Sequence, residues 1–406
     1  MMGWLGGWQY RKSHVINSAE GAEKNYTVRI RAYYSDIPPS FQPMPASADS
    51  GGLRRKGQQK IVKSADGTKL FMWYLKDSDQ IQFLSSTDGG ATWTTGATIS
   101  INGAATYGEL LRDSNGYLHL IFSDETNVKH YKSNNPEDVS SFTAVNTSIY
   151  GSNCSGLGAD IDSNDHIHLI VQSSSCQALY FKYTTSWSSS TTLTESTSGN
   201  LEVRWPRITV DSHDNLHVIV TIRNSSTNRM TNVGYMKSTD GGSTWKKADG
   251  TSYTLPIDLD TEIESVTSRP YPRACTVLTD SNNYPIMVLG DDVDAAGTHD
   301  QRAVYFVRWN GSSWIETTVD DSTSRIYRIS GLIKHGNRLV IPVSVRNSTD
   351  TYRDAGYYES TDGGNTWNSL VWLTFDANTK NDHYDRHTTV SYTHLRAHET
   401  RHDLVC

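Results

Sequence analysis

The sequence predicts an all-β protein, a β-propeller of six or seven blades preceded by a short N-terminal β segment. Three observations support this prediction. An octet of turn-forming residues that ends in tryptophan occurs three times, a longer unit of strands and turns repeats along the chain, and helical periodicity is absent throughout. Units of roughly 45 to 70 residues have the length of four-stranded propeller blades.

The repeated octet has the composition of a tight turn between two strands. Its copies occupy residues 86–93, 238–245 and 360–367. Aspartate can hydrogen-bond to its own backbone two residues on, glycine adopts positive φ without a steric penalty, and tryptophan can pack beneath the hairpin. The octets resemble the Asp-box, S-x-D-x-G-x-T-W, of the sialidase-type β-propellers. In that family the box is a structural turn between the outer strands of a blade.

A longer unit surrounds each octet. It opens with a short strand, passes through a polar turn into a strongly apolar strand, and ends at the box or its remnant. The remnants are the single aromatic residues Phe142, Trp187 and Trp314. The six polar turns lie at residues 64–67, 113–116, 162–165, 211–214, 280–283 and 335–337. A seventh opening at 383–390 predicts either a truncated seventh blade or a strand that closes the ring.

The two ends of the chain differ from the repeats. Residues 1–50 contain two alternating strand runs and a proline-rich stretch, which predicts a short β segment and a linker. The propeller is expected over residues 51–390. Residues 391–406 resemble the translation of a sequencing adapter, so they are excluded from functional interpretation and the natural C-terminus is expected to be missing.

Composition excludes several classes of protein. The chain of 406 residues has a net charge of -7 and no Lys/Arg stripe, which argues against a nucleic-acid partner. No apolar run approaches the length of a membrane-spanning helix. An extracellular or cell-surface location and a monomeric state are expected, although residues 1–10 show no signal-peptide pattern. Cys154 and Cys176 flank one hairpin and either pair or remain free thiols.

Several unit openings place an aromatic residue just before an arginine. In a radial array of blades these guanidiniums would converge on one mouth of the central channel. Arginine suits bidentate capture of a carboxylate, sulfate or phosphate, so a glycan or acidic polysaccharide is the expected partner. The alternative is that a residue repeated in each blade serves blade-to-blade packing. The four openings are Trp205-Pro-Arg207, Tyr271-Pro-Arg273, Tyr327-Arg328 and Tyr384-Asp-Arg386.

The resemblance to sialidases implies a set of binding residues. Those enzymes hold the carboxylate of sialic acid with three arginines, and here Arg207, Arg273 and Arg328 would take that role. The first arginine of the family lies in a motif that this chain lacks, because the first unit opens with Leu53-Arg54-Arg55-Lys56. The substrate-binding residues implied are Arg207, Arg273, Arg328, Arg386, Tyr271 and Tyr327.

The same resemblance implies catalytic residues. Sialidases use a tyrosine nucleophile that a glutamate activates, and an aspartate as acid and base. Here Tyr384 would be the nucleophile, Glu264 would activate it, and Asp79 would transfer the proton. The expected reaction is hydrolysis of a terminal glycosidic bond of an acidic sugar with retention. No cofactor or metal is expected, because no metal-ligand spacing or glycine-rich phosphate loop occurs.

Two other functions stay open. A propeller polysaccharide lyase would use histidine or tyrosine to remove the proton α to a uronic carboxylate, with arginine neutralising that carboxylate. His119, His168 and His217 fill the same place in three successive strands, but such repetition favours a structural role. The other alternative is a non-catalytic, glycan-binding or adhesive propeller, because Asp-boxes occur in propellers of unrelated function.

Overall fold

A computed structural model of the protein confirms the β-propeller. Among the described residues there are strands and turns but no helix, and six antiparallel blades surround a central channel. The description covers residues 60–373 except 78, 102, 104–106, 125, 153, 155, 293–300, 323–324 and 348–353. The segment predicted over 1–50, the seventh opening at 383–390 and the tail at 391–406 lie outside the described residues.

Blades 1 to 3 are four-stranded sheets whose strands follow chain order from the channel outward. Blade 1 contains β1 (Ile61–Lys63), β2 (Leu70–Asp77), β3 (Gln80–Ser86) and β4 (Thr94–Ser100). Blade 2 contains β5 (Tyr107–Arg112), β6 (Leu118–Ser123), β7 (Val128–Ser133) and β8 (Phe142–Tyr150). Blade 3 contains β9 (Leu157–Ile161), β10 (Ile167–Gln172), β11 (Ala178–Tyr183) and β12 (Thr191–Thr192).

Blades 4 to 6 show small departures from this plan. A two-stranded parallel sheet of β13 (Thr194–Glu195) and β17 (Ile257–Asp258) stands beside blade 4, which contains β14 (Leu201–Val210), β15 (Leu216–Asn224), β16 (Arg229–Ser238) and β18 (Glu264–Ser265). Blade 5 contains β19 (Pro272–Thr279), β20 (Pro285–Asp292), β21 (Gln301–Trp309) and β22 (Trp314–Asp320). Blade 6 contains β23 (Arg325–Ile329), β24 (Ile333–His335), β25 (Arg338–Asn347), β26 (Asp354–Ser360) and β27 (Val371–Trp372).

The antiparallel order of strands gives the propeller two distinct faces. The turn between the first and second strands of a blade and the turn that carries the Asp-box lie on one face, which we call the box face. The innermost strands begin at the opposite face, and the turns between second and third strands lie there as well. We call this opposite side the entry face.

The Asp-box is a hydrogen-bonded turn, as predicted. In blade 4, Asp240 accepts hydrogen bonds from the backbone N–H of Thr244 at 2.8 Å and from its hydroxyl at 2.6 Å. The Ser238 hydroxyl oxygen accepts from the N–H of Gly242 at 2.8 Å. The boxes of blades 1 and 6 repeat these bonds. The turn is therefore specified by residues within the octet itself.

In blades 2 to 6, the aromatic residue that ends the box or its remnant joins neighbouring blades. It packs against the third strand of the preceding blade, at the position three residues before that strand's own turn. The remnants in blades 2, 3 and 5 thus keep the contact that the complete boxes make. The ring-centroid distances are 3.9 Å for Phe142 and Phe83, 5.7 Å for Trp187 and His130, 5.5 Å for Trp245 and Tyr180, 5.0 Å for Trp314 and Tyr235, and 5.4 Å for Trp367 and Phe306.

The repeated histidines lie inside the blades. In blade 3, His168 Nε2 lies 3.1 Å from Asp162 Oδ2 in the first turn, and Nδ1 lies 2.7 Å from the Tyr180 hydroxyl. Burial lowers the pKa of His168 to about 4, so the ring is neutral at neutral pH. The same arrangement recurs as Asp211, His217 and Tyr235 in blade 4, and as Asp113, His119 and His130 in blade 2. These contacts favour the structural role over general-base catalysis.

Candidate functional site

A channel runs through the middle of the propeller. All six inner strands contribute to its wall, and its volume is about 660 Å³. The wall is mixed in character, with aliphatic side chains between charged ones. The charged residues that line it are Lys63, Glu109, Arg112, Asp160, Arg207 and Lys334.

Strand pairing shows which residues of different blades lie at the same height along the channel. We use one reference position in each blade. It is the second-strand residue that pairs with the third-strand residue three positions before the end of that strand, the residue that forms the blade-to-blade aromatic contact in blades 1 to 5. The reference pairs are Ile219 with Tyr235 in blade 4, Val288 with Phe306 in blade 5, and Pro342 with Tyr357 in blade 6.

Three arginines lie two residues nearer the entry face than these reference positions. Arg204 pairs with Thr221, Arg273 with Gly290, and Arg328 with Ser344. They occupy one register position on blades 4, 5 and 6, at the entry end of the inner strands. We call these residues, Arg204, Arg273 and Arg328, the arginine tier.

The arginine tier corrects the alignment of the sequence motifs. Trp-Pro-Arg and Tyr-Pro-Arg predict that Arg207 is the counterpart of Arg273, but Arg207 pairs with Ile219 and lies two register positions deeper. The reason is that the two strands carry their β-bulges at different places. Blade 4 bulges between Arg204 and Arg207, whereas blade 5 bulges after Ala274.

Trp205 connects blade 4 with blade 5 at this mouth. Its backbone has a φ of 47°, which is uncommon for a bulky residue and marks local strain. Its N–H donates to Gln172 Oε1 at 3.2 Å. The Arg273 guanidinium carbon lies 3.9 Å from the centroid of the Trp205 ring, a cation–π contact that orients the guanidinium.

Tyr271 lies two residues before Arg273 and is half-buried at the entry face. Arg229 Nη1 donates a hydrogen bond to its hydroxyl oxygen at 2.7 Å. The Tyr271 N–H donates to Asp291 Oδ1 at 3.2 Å, and burial raises the pKa of Asp291. A tyrosine oxygen is thus held by a cation beside the arginine tier.

A second charged level lies deeper in the channel. Arg207 Nη1 donates to the carbonyl of Leu157 at 2.8 Å. Lys60 is 2% exposed, and its Nζ donates to the carbonyl of Gly108 at 3.2 Å. Burial lowers the pKa of Lys60 to about 7, Glu109 opposes that shift, and Arg207 adds to it.

Sequence reasoning missed Lys60 and Glu109, although a signal for them exists. Each lies four residues before the first turn of its unit, as Arg207 does in blade 4. Because the units are structurally equivalent, counting back from the turn would have placed all three at one level of the channel.

Two of the predicted catalytic residues, Glu264 and Asp79, lie within the described chain, on different blades. Glu264 is on β18, the outermost strand of blade 4, where it accepts hydrogen bonds from the Ala248 N–H at 2.7 Å and the Trp314 indole at 3.0 Å. Asp79 is exposed in the turn between β2 and β3. Tyr384 lies outside the described residues, as does Arg386. The catalytic assignment of Asp79, Glu264 and Tyr384 stays a prediction.

Tyr327 is part of the core between blades 5 and 6. It is fully buried, and its hydroxyl oxygen accepts a hydrogen bond from Tyr358 at 3.3 Å. Burial raises the pKa of Tyr327 to about 12. Of the two tyrosines predicted to bind substrate within the described chain, Tyr271 is therefore the accessible one.

Three further features of the described chain concern metal ligands, membrane-spanning helices and cysteines. No group of three or more His, Cys, Asp or Glu side chains within it could hold a metal ion. It also contains no helix that could cross a bilayer. Cys154 and Cys176 are free thiols, which decides between the two alternatives that the sequence leaves open.

Comparison with solved structures gives similar propellers. A polysaccharide lyase of the ulvan lyase family PL25 superimposes with a TM-score of 0.61 at 13% identity, covering 79% of this chain and 86% of the lyase. The same lyase bound to -[GlcA(1-4)Rha3S]- gives a TM-score of 0.60 at 13% identity and the same coverage. The Aleuria aurantia lectin gives a TM-score of 0.43 at 11% identity, covering 79% of this chain and 94% of the lectin. At 13% identity the likeness to the lyase shows a common fold.

Sequence comparison identifies the family. Among the curated proteins nothing matches the chain. A family model described as BNR repeat-containing family member matches residues 71–322, which is more than half of the chain. The matched range extends from the second strand of blade 1 to the end of blade 5. The protein therefore belongs to the BNR repeat-containing family, and its Asp-boxes are the repeats of that family.

Proposed function

We propose that the protein binds an acidic polysaccharide at the entry face and cleaves it by β-elimination beside a uronic carboxylate. The observation that carries this proposal is the arginine tier, with Tyr271 held by Arg229 next to Arg273. The likeness to a polysaccharide lyase, solved also with a glucuronate-containing saccharide, adds support.

The arginines supply the binding chemistry. A guanidinium offers two parallel N–H donors that match a carboxylate, so Arg204, Arg273 and Arg328 suit successive acidic groups of a polysaccharide. Arg223, at the entry end of β15, and Arg204 both donate hydrogen bonds to Glu202, so these three side chains together carry one net positive charge. Positive charge collected at one mouth of a chain with net charge -7 would steer an anionic polymer to that mouth.

Tyr271 would act as the base. Its phenolate would take the proton from C5 of the uronate, while Arg273 neutralises the carboxylate and so stabilises the negative charge that develops next to it. The bond from C4 to the leaving oxygen then breaks, and a double bond forms between C4 and C5. The tyrosine returns its proton to the leaving oxygen. Arg229 fixes the position of the phenolic oxygen by donating a hydrogen bond to it at 2.7 Å.

Elimination fits these residues better than sialidase-type hydrolysis does. A tyrosine nucleophile needs a carboxylate to accept its proton. The predicted nucleophile Tyr384 lies outside the described residues. The side-chain contact to the Tyr271 hydroxyl comes from an arginine, and the predicted activator Glu264 is on an outermost strand. A cationic neighbour suits a tyrosine that must carry negative charge as a base.

The test measures formation of unsaturated product. The purified chain is incubated with polysaccharides rich in uronic acid, and ultraviolet absorption of the new double bond is followed. We expect Tyr271→Phe to lower kcat by at least about 100-fold with little change in KM, because the ring stays and the proton carrier is lost. Tyr284→Phe is the matched control, since Tyr284 is exposed in a turn on the box face.

The other outcomes distinguish the remaining functions. Cleavage without ultraviolet-absorbing product, or release of sugar from a fluorogenic sialoside, would show that the reaction is hydrolysis and not elimination. Retention of acidic glycans without any product would make the protein a glycan-binding module. A polymeric substrate also implies work outside the cell, and we propose an extracellular or cell-surface location. Antibody labelling of intact producing cells and their medium tests that location.

A further inference from the structure

The box-face end of the channel carries a second set of cationic side chains. The residue directly before the first turn of each unit forms a ring around this end. In blades 1, 2 and 6 that residue is a lysine or an arginine, and in blades 3, 4 and 5 it is uncharged. The six residues are Lys63, Arg112, Ile161, Val210, Thr279 and Lys334.

The three cationic residues face one space. Lys63, Arg112 and Lys334 all line the central channel. Lys334 Nζ donates to the carbonyl of Thr279 at 2.6 Å, so its side chain reaches the inner strand of blade 5. Arg112 Nη1 donates to the carbonyl of Asp113 at 3.2 Å and lies 3.9 Å from Glu137 Oε1.

The fold does not require charge at this position. Blades 3 to 5 have Ile161, Val210 and Thr279 there and build the same strand and turn. The acidic groups of the channel wall are Asp160 and Glu109. Asp160 accepts hydrogen bonds from the Val210 N–H at 2.8 Å and the Thr209 hydroxyl at 3.1 Å, which occupies its oxygens within the wall. Of the described charged side chains that line the channel, four are basic and two are acidic.

We propose that the box-face end of the channel binds a small tetrahedral oxyanion, sulfate or phosphate, between Lys63, Arg112 and Lys334. Ammonium and guanidinium groups form strong, short hydrogen bonds with such oxygens, and a confined channel screens their charges less than open solvent does. A volume of about 660 Å³ also leaves room for a sugar that carries the anion as an ester. This site lies at the opposite end of the channel from the arginine tier and does not depend on the proposed lyase activity.

Ligand-induced stabilisation tests the proposal. The melting temperature of the full chain is measured against rising sodium sulfate and sodium phosphate, with sodium chloride added to hold ionic strength constant. We expect a saturable rise for the wild type. Lys63→Gln and Lys334→Gln should each weaken the apparent affinity by about tenfold, since each removes a charged hydrogen-bond donor. Lys246→Gln removes the charge of a half-buried lysine outside the channel and should leave the affinity unchanged.

Further arms identify the source of the anion and check folding. The rise in melting temperature is also measured with glucose 6-sulfate and glucose 6-phosphate. If these esters saturate the rise at lower concentration than the free ions do, the site binds a sugar ester. If the free ions saturate it at lower concentration, the site binds the free ion. Lys334→Arg retains the charge and should restore binding even if Lys334→Gln lowers the melting temperature without ligand. A wild type with no saturable rise for any of these anions, or channel variants that respond like the wild type, would overturn the proposal.

Discussion

At the scale of the single residue, Lys60 shows how burial in the channel wall makes stability depend on pH. Its ammonium group is removed from water and lies 3.5 Å from the centroid of the Trp73 ring. The pKa in the folded protein is about 7, compared with 10.5 for an ordinary lysine. Between those values the unfolded chain binds the extra proton, so folding becomes more favourable as pH rises through this window.

Lys60→Met should remove this dependence, because methionine keeps the apolar stem without a charge. We expect the gain in stability of the variant over the wild type to be largest at and below about pH 7 and to disappear as pH approaches 10.5. Thermal denaturation at a series of pH values measures the gap between the two melting temperatures. Lys246→Met, at a half-buried lysine outside the channel, is the control variant. A gap for Lys60→Met that stays constant with pH would contradict the assignment.

At the scale of the element, the Asp-box turn is also a contact between blades. Gly242 has a φ of 93°, and a Cβ placed on it would lie 2.3 Å from the Tyr180 ring of blade 3. The Tyr180 hydroxyl donates to the carbonyl of Gly241 at 3.0 Å. The box therefore needs glycine both for its backbone conformation and for the close approach of the neighbouring blade.

Two glycine substitutions in blade 4 separate these requirements. Gly250 has a φ of 94°, but nothing lies within 4 Å of a Cβ placed on it. We expect Gly250→Ala to lower the free energy of unfolding by about 1 kcal/mol through backbone strain. Gly242→Ala should cost about 2 kcal/mol more, since the methyl group must also displace the tyrosine ring. Urea denaturation measures the free energy of unfolding of both variants. Equal losses in the two variants would show that the contact with Tyr180 does not contribute to stability.

At the scale of the whole molecule, side chains of one blade hold the turn of the blade before it. Asp214 of blade 4 accepts hydrogen bonds from the N–H and hydroxyl of Ser163 in blade 3, at 2.8 Å and 2.5 Å. Asp165 and Asn283 make the corresponding bonds in blades 3 and 5. Blade 2 has glycine at this position, and there Glu137 accepts from the Ala65 N–H of blade 1 at 2.7 Å instead. These contacts couple successive blades into one ring.

Asp214→Ala should weaken that coupling. Loss of two hydrogen bonds at an exposed turn is expected to lower the free energy of unfolding by about 1 to 2 kcal/mol. Asp214→Asn should lose less than half as much, because blade 5 uses asparagine at the equivalent position 283. Equilibrium denaturation followed by tryptophan fluorescence compares the variants. Identical stability of Asp214→Ala and the wild type would show that the turn contacts do not hold the ring together.

The sequence by itself determined the features that depend on neighbouring residues. Each Asp-box closes through hydrogen bonds within eight residues, so its turn could be recognised in all three copies. The unit length and the alternation of polar turns with apolar strands were enough to predict the blades. The repetition of histidine at one strand position also indicated a structural role before any contact was known.

Only the tertiary structure decided which side chains meet across blades. A β-bulge adds one residue to a strand and shifts the pairing register of all residues before it. For this reason Arg204, and not Arg207, lies at the same level of the channel as Arg273 and Arg328. The bulge is stabilised by pairing with another strand, and no pattern in the bulged segment reveals where it falls. The position of Glu264 on an outermost strand could likewise not be read from the sequence. Distance along the chain does not tell which strand of a blade is innermost, because that depends on how the whole ring closes.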